Sequence, residues 1–215
     1  MALFGKDFES LLPPYLTSDQ KTRLREGLSQ FSMDRKGKDA IDYSNFTSRE
    51  FCDYFKQSDL VNEIRYPFLD IENDYTYSKK YTKAIILSNT CDISNENGHT
   101  LNHKQAVLAP ILSLEEYIKV ITAKRSYDPS KLENLINELK LQRITNLFYI
   151  SDNGGMEYIA LLDKIFWFPT SELNEYLPEI SETKILSLNM FGYYLFLLKL
   201  SFHFCRFPES LERAV

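Results

Sequence analysis

Three short apolar runs between Asp59 and Ile111 constrain the fold of this 215-residue chain more than any other feature. Asp59-Leu60-Val61 opens the first. Lys83-Ala84-Ile85-Ile86-Leu87-Ser88-Asn89-Thr90-Cys91-Asp92 forms the second, and Gln105-Ala106-Val107-Leu108-Ala109-Pro110-Ile111 the third. Short apolar runs separated by polar loops are the pattern of strands in a small closed β-barrel.

Helical signals flank these runs. Leu24, Leu28 and Phe31 recur at helical spacing, and Thr17 or Ser18 can cap the free amides, which predicts a helix over 19–32. A helical turn is expected over Arg49–Phe55. Residues 70–82 pass from acidic to Tyr-rich to basic and predict a long exposed excursion. A loop is expected over 94–104, with a turn at Asn97-Gly98. Residues 114–142 predict a helical insertion, capped by Ser113 at its start. After Asp128-Pro129-Ser130, Leu132, Leu135, Ile136 and Leu139 form an amphipathic stripe. Strands resume over 146–150 and 156–168, on either side of Asp152-Asn153-Gly154-Gly155. The run from Leu186 to Phe204 is nearly all apolar. Its uncharged part, Ile185 to Leu198, falls short of the roughly 18 residues a membrane span needs, so a buried packing helix is expected.

The expected fold is therefore α+β: a small SH3-like β-barrel with an N-terminal helix, a helical insertion and an apolar C-terminal helix. The segments are 1–57, helical; 58–207, the barrel with its insertion over 114–142 and its closing helix; and 208–215, a tail.

Charge and cysteine usage narrow the function. A net charge of −5 argues against a general nucleic-acid coat, which wants a basic surface. Lys79, Lys80 and Lys83 are the best local basic patch, although three lysines before a strand are more often a solvated edge. Cys52, Cys91 and Cys205 are odd in number and widely spaced. That pattern fits a reducing cytoplasm rather than a disulfide framework. The first residues lack the basic and apolar regions of a signal peptide. No Gly-rich phosphate loop, zinc-finger spacing or nucleophile elbow appears, so no cofactor is expected.

Asn89, Thr90, Cys91 and Asp92 are the one polar cluster at a suggestive place, the end of the second strand. Cys91 could be a thiolate nucleophile or a metal ligand there. Against this, a neighbouring carboxylate raises a thiol pKa, which favours a buried Cys beside a turn-capping Asp. The cluster can also contact a ligand or partner. His99 and His103 are four apart, but they flank a turn rather than share a helix face, so metal binding is not expected. His203 is expected in the core. Trp167, between Phe166 and Phe168, is expected in the core or at a partner interface. Asp70, Glu72 and Asp74 read as a solvated series.

In order, these strands resemble toxin barrels of the MazF/PemK type, an SH3-like fold of bacterial toxin–antitoxin pairs. The resemblance lies in Ser58-Asp59-Leu60-Val61, Ala84-Ile85-Ile86-Leu87-Ser88-Asn89, Pro110-Ile111-Leu112-Ser113, Leu162-Asp163-Lys164-Ile165 and Leu186-Ser187-Leu188. The run Leu87-Ser88-Asn89-Thr90-Cys91-Asp92-Ile93 is closer still to a largely uncharacterised bacterial group that sits beside mobile-element or phage-defence genes. The toxin resemblance implies RNA cleavage by an Arg before the second strand and a Thr after the third. Thr82, followed by Lys83, stands at the Arg position, and Leu112 at the Thr position. Lys83 brings charge without a guanidinium fork, and Leu112 brings nothing polar. The expectation is thus a non-catalytic or degenerate barrel acting through a protein partner, an antitoxin or a defence-complex component, with RNA and a homodimer as further possible partners and no membrane. The alternatives are an endoribonuclease with relocated groups drawn from Lys83, Thr90, Cys91 and Asp92, and a small-ligand sensor.

Overall fold

The computed structural model describes residues 17–19, 21, 22, 25, 46–49, 52–70, 76–93, 105–124, 127–152, 154–176 and 179–204. Among them, eight strands form one antiparallel sheet: β1 (Thr47–Ser48), β2 (Leu60–Asp70), β3 (Thr76–Ile86), β4 (Gln105–Ser113), β5 (Leu147–Ser151), β6 (Glu157–Leu161), β7 (Phe166–Pro169) and β8 (Lys184–Leu188). Six helices accompany them: α1 (Thr90–Ile93), α2 (Leu114–Lys124), α3 (Pro129–Lys140), α4 (Thr170–Glu175), α5 (Ile180–Thr183) and α6 (Met190–Phe204). The class is α+β, as the sequence predicts. Strand order is β1-β8-β2-β3-β4-β6-β5. β4 shares one edge between two partners, β7 along Gln105–Leu108 and β6 along Ile111–Ser113. Splitting an edge this way curls the sheet into a half-barrel.

Period-two alternation sorts side chains to the two faces. Leu60, Ile85, Ala109, Ile111, Phe148, Ala160 and Leu186 point inward, and Leu195 and Phe196 of α6 fill the space between them. The Phe148 and Phe196 rings lie 5.3 Å apart. On the other face, Val61, Ile64, Ala84, Ile86, Leu108 and Phe168 pack with Ile93 of α1, Leu173 of α4 and Phe55. Farther along that face, Leu114 and Leu139 from α2 and α3 cover Leu147, Tyr149 and Ile159. Burial on both faces is why the second and third runs read as continuous rather than alternating.

Local chemistry sets the helix ends. Ser113 and Glu116 form a reciprocal capping box on α2, with Ser113 N donating to Glu116 Oε2 at 2.8 Å and Glu116 N to Ser113 Oγ at 3.1 Å. Asp128 Oδ1 accepts from Ser130 N at 2.9 Å, with Pro129 at the first position of α3. Asn189 Oδ1 accepts from Phe191 N and Gly192 N at 2.9 and 3.2 Å to start α6. Gly192 lets that helix press on the chain before β1, since a Cβ there would lie 2.1 Å from the Phe46 carbonyl oxygen.

A buried ion pair holds β8 to the start of β2. Lys184 Nζ lies 2.8 Å from Asp59 Oδ2, and both side chains are almost fully buried. Ser187 Oγ donates to Asp59 Oδ1 at 2.7 Å, and Lys56 N donates to Oδ2 at 2.8 Å. Lys184 Nζ also donates to the Tyr54 carbonyl oxygen at 2.9 Å. Satisfaction of both charges is what makes such a pair tolerable inside a core.

Several expectations are corrected. Thr76–Thr82 is strand, paired with Ile64–Asp70, rather than an exposed excursion. The second run leaves the sheet after Ile86, because Asn89 Oδ1 accepts from Cys91 N at 2.9 Å and starts α1. The predicted 156–168 strand is two, β6 and β7, divided by a turn in which Lys164 N donates to Leu161 O at 3.0 Å. Leu186–Leu188 belongs to β8, and the closing helix begins at Met190. Residues 52–55 are irregular rather than helical, and Phe55 is anchored by burial. Most of the expected 19–32 helix, the 94–104 loop and the 208–215 tail lie outside the described residues. Among the described residues, no helix is long and apolar enough to cross a membrane.

Candidate functional site

Around Lys83 the sheet opens. Register between β2 and β3 shifts between Val61↔Ala84 and Ile64↔Thr82, so Asn62 and Glu63 together oppose Lys83. This is a bulge, with Glu63 at φ 56°. On the other side, Lys83 faces Ile111, after which β4 turns toward β6 through Leu112↔Ile159 and Ser113↔Tyr158. α2 then begins at Leu114. The gap left between β3 and the β4–α2 corner is a groove of about 270 Å3.

Ile111 and Leu112 line the groove on one side, Tyr81, Thr82 and Lys83 on the other, with Asn62, Glu63 and Glu116 completing it. Thr82–Lys83 and Leu112, the positions where the toxin resemblance implies Arg and Thr, therefore meet in one place. Glu116 is held below the usual carboxylate range, first by the Ser113 amide and hydroxyl and further by the nearby Lys83 charge. With one oxygen committed to the helix cap, Glu116 serves the corner as well as the groove. The groove can thus offer an ammonium, a carboxylate, an exposed phenol and an apolar wall.

Asn89, Thr90, Cys91 and Asp92 lie past the other end of β3. Lys83 is three residues before that end, about 10 Å along the strand. Thr90 Oγ1 accepts from Gln57 N at 3.0 Å, and Gln57 Nε2 donates to the Leu87 carbonyl at 2.6 Å. Tyr193 on α6 donates to Gln57 Oε1 at 2.9 Å. Thr90 thus joins a network tying the chain before β2 to α1 and α6. Asn89 is the cap of α1, while Cys91 and Asp92 are exposed on it. None of the four lines the groove, so the structure does not bring Lys83 and Asp92 together.

His99 and His103 lie outside the described residues. Among the described residues, no three His, Cys, Asp or Glu side chains gather in a way that could hold a metal ion. His203 sits half-buried on the last turn of α6, its ring 4.7 Å from that of Phe204, rather than in the core. Trp167 is 64% exposed, because the register that buries Phe166 and Phe168 turns it outward. Tyr81, Asn62, Glu63 and Glu116 escaped the sequence reading. The Ser113-x-x-Glu116 capping box was the one signal available for any of them.

Beyond the groove, β3 continues as a ribbon with β2. Among the described residues, β4 pairs β3 only along Lys83–Ile86, and no strand covers the same edge of Thr76–Thr82. Tyr81, on the rim of the groove, is 69% exposed.

Compared with protein-family models, curated proteins and solved structures, the chain matches none.

Proposed function

We propose that this chain is an SH3-like barrel that acts by binding a protein, in the cytoplasm, as part of a bacterial phage-defence or toxin–antitoxin module. The observation that carries the reading is the groove beside Lys83, walled by Ile111 and Leu112 with the exposed Tyr81 on its rim. An apolar wall rimmed by an aromatic ring and charged groups is suited to holding another chain. The residue types in the groove support the same reading. Lys83 and Leu112 supply neither the guanidinium fork nor the hydroxyl that phosphate chemistry of the toxin type employs. The cellular setting and the SH3-like assignment rest on the resemblance carried by Ser58–Val61, Ala84–Ile93 and Pro110–Ser113.

Affinity capture from the native host, with total RNA incubated in parallel, tests this. The expected result is a stoichiometric protein partner and intact RNA. Discrete RNA fragments that vanish with Lys83→Ala would overturn it. Because Lys83 and Asp92 are far apart, Asp92→Ala should behave as the unsubstituted protein in both assays.

A further inference from the structure

We propose that the groove beside Lys83 receives the N-terminal residue of a partner polypeptide, a free α-ammonium carrying an apolar side chain. This rests on the protein-binding reading and specifies which part of the partner is held.

The groove is assembled at one level of the sheet. The bulge at Asn62 and Glu63 stands opposite Lys83 on one side, and Ile111 pairs with Lys83 on the other. Each wall is fixed by a bond of its own. Tyr176 Oη donates to the Glu63 carbonyl oxygen at 3.3 Å and pins the bulge, and Ser113 N donates to Glu116 Oε2 at 2.8 Å and pins the corner. A bulge held in this way aims its side chains at a set place. The enclosed space of about 270 Å3 is at the lower limit of small-ligand sites, so it suits a single residue rather than a helix.

Charge selects which end of a chain fits. Glu63 and Glu116 bring two carboxylates to the groove, against the one ammonium of Lys83. Among the described residues, neither Glu63 nor Lys83 has an ion-pair partner. Glu63 is exposed, so its carboxylate can meet an incoming group, whereas Lys83 is half-buried. The exposed Tyr81 ring on the rim also favours a cation, because the face of an aromatic ring attracts positive charge. A carboxyl end would bring a third carboxylate to this place. An N-terminal residue supplies every matching group from one unit: its ammonium for the carboxylates, its side chain for Ile111 and Leu112, and its carbonyl oxygen for the Lys83 ammonium.

The test uses the full chain and isothermal titration calorimetry with short, otherwise neutral peptides. The first has a free amine on an N-terminal Leu and an amidated end. The others are its N-acetyl form, its Ser-first form, an N-acetyl peptide ending in a free Leu carboxylate, and an N-acetyl amide with a central Lys. The expected result is that the free Leu amine binds about tenfold or more tighter than the acetylated form, with the Ser-first peptide weaker than the Leu-first one. Raising the pH through the α-amino range of about 7.7–8.0 should weaken the free amine and leave the acetylated form unchanged. Glu63→Gln should remove most of the preference for the free amine, with circular dichroism and the unfolding midpoint unchanged. Lys83→Met should weaken the free and acetylated forms alike.

Equal binding of free and acetylated peptides, or no binding of either, would overturn the proposal. Tighter binding of the C-terminal Leu carboxylate would overturn it in favour of an anion site. Equal binding of the central Lys would replace it with unselective cation attraction. Self-association abolished by Glu63→Gln would overturn it in favour of a second copy of the chain. If the host partner is captured equally by the Glu63→Gln protein, this inference fails while the protein-binding reading stands. RNA fragmentation that vanishes with Lys83→Ala would sink both.

Discussion

β3 is one strand in two environments. Its last four residues, Lys83–Ile86, are paired on both sides, and Ala84, Ile85 and Ile86 are fully buried. Its first seven pair with β2, no other described strand lies beside them, and they carry Tyr, Ser, Lys and Thr. The buried part is held by cores on both faces and by the neighbouring chain, where Ile86 N donates to Asp59 O at 3.0 Å and Ser58 N to Ile86 O at 2.8 Å. In the outer part Lys80 and Tyr81 are exposed, and Tyr81 stands on the rim of the groove. Core-building and groove-lining residues are thereby separated along a single element.

That separation can be broken most severely at Asp59. Asp59→Ala leaves Lys184 charged and buried, and should cost about 3–5 kcal/mol in urea unfolding. A cost below about 1 kcal/mol would mean that the buried pair does not anchor this part of the sheet. Next is Gly192→Ala, which forces α6 away from Phe46 and should cost about 1–3 kcal/mol by overpacking. An unchanged unfolding midpoint would refute the close approach.

Lys199 sharpens the contrast between buried charges. Lys184 has a carboxylate partner, whereas Lys199 Nζ donates to the Gln142 carbonyl oxygen at 2.6 Å, and burial lowers its pKa to about 8. Its folded value is below the unfolded value of about 10.4, so between the two the unfolded chain holds more protons. Stability therefore rises with pH across that window, by up to about 3 kcal/mol, and the full penalty is present below it. Lys199→Met should be more stable than the unsubstituted protein at pH 7, with the gap closing by pH 10. Parallel pH profiles for the two proteins would remove this assignment. The smallest effect on folding is expected for Tyr81→Ala, within about 0.5 kcal/mol, because its side chain is largely outside the core. The same change should measurably weaken capture of the host partner, because Tyr81 lines the groove. A large loss of stability with no change in binding would reverse the roles assigned to the two parts of β3.

The difference between those parts also explains what the sequence disclosed. β4, α2 and α3 were legible because Gln105–Ile111 is an unbroken apolar run, and Leu132, Leu135, Ile136 and Leu139 repeat at helical spacing. Thr76–Thr82 was not, because its Thr, Tyr, Ser and Lys residues give no apolar alternation to read. The turn of β8 into α6 was hidden for the opposite reason: Lys184–Leu188 and Met190–Phe204 are both apolar, so composition does not change where the geometry does. The groove was illegible as a unit, since the bulge at Asn62–Glu63, Tyr81–Lys83 and the Leu112–Glu116 corner are brought together only by register. The Asp59–Lys184 pair joins residues more than a hundred positions apart, and nothing local to either marks it.

The β5 margin of the sheet has its own consequence. Gln142, at φ 57°, turns its amide onto β5: Nε2 donates to the Tyr149 carbonyl at 2.6 Å, and Oε1 accepts from Tyr149 N at 3.3 Å. One side chain thus stands in for a neighbouring strand at the centre of that margin. Open-ended growth of a sheet from molecule to molecule requires a receptive margin at both ends. With Tyr149 already engaged by Gln142, the β5 margin does not offer a strand of another molecule an unoccupied pair of backbone groups at its centre, and the sheet is closed to growth there.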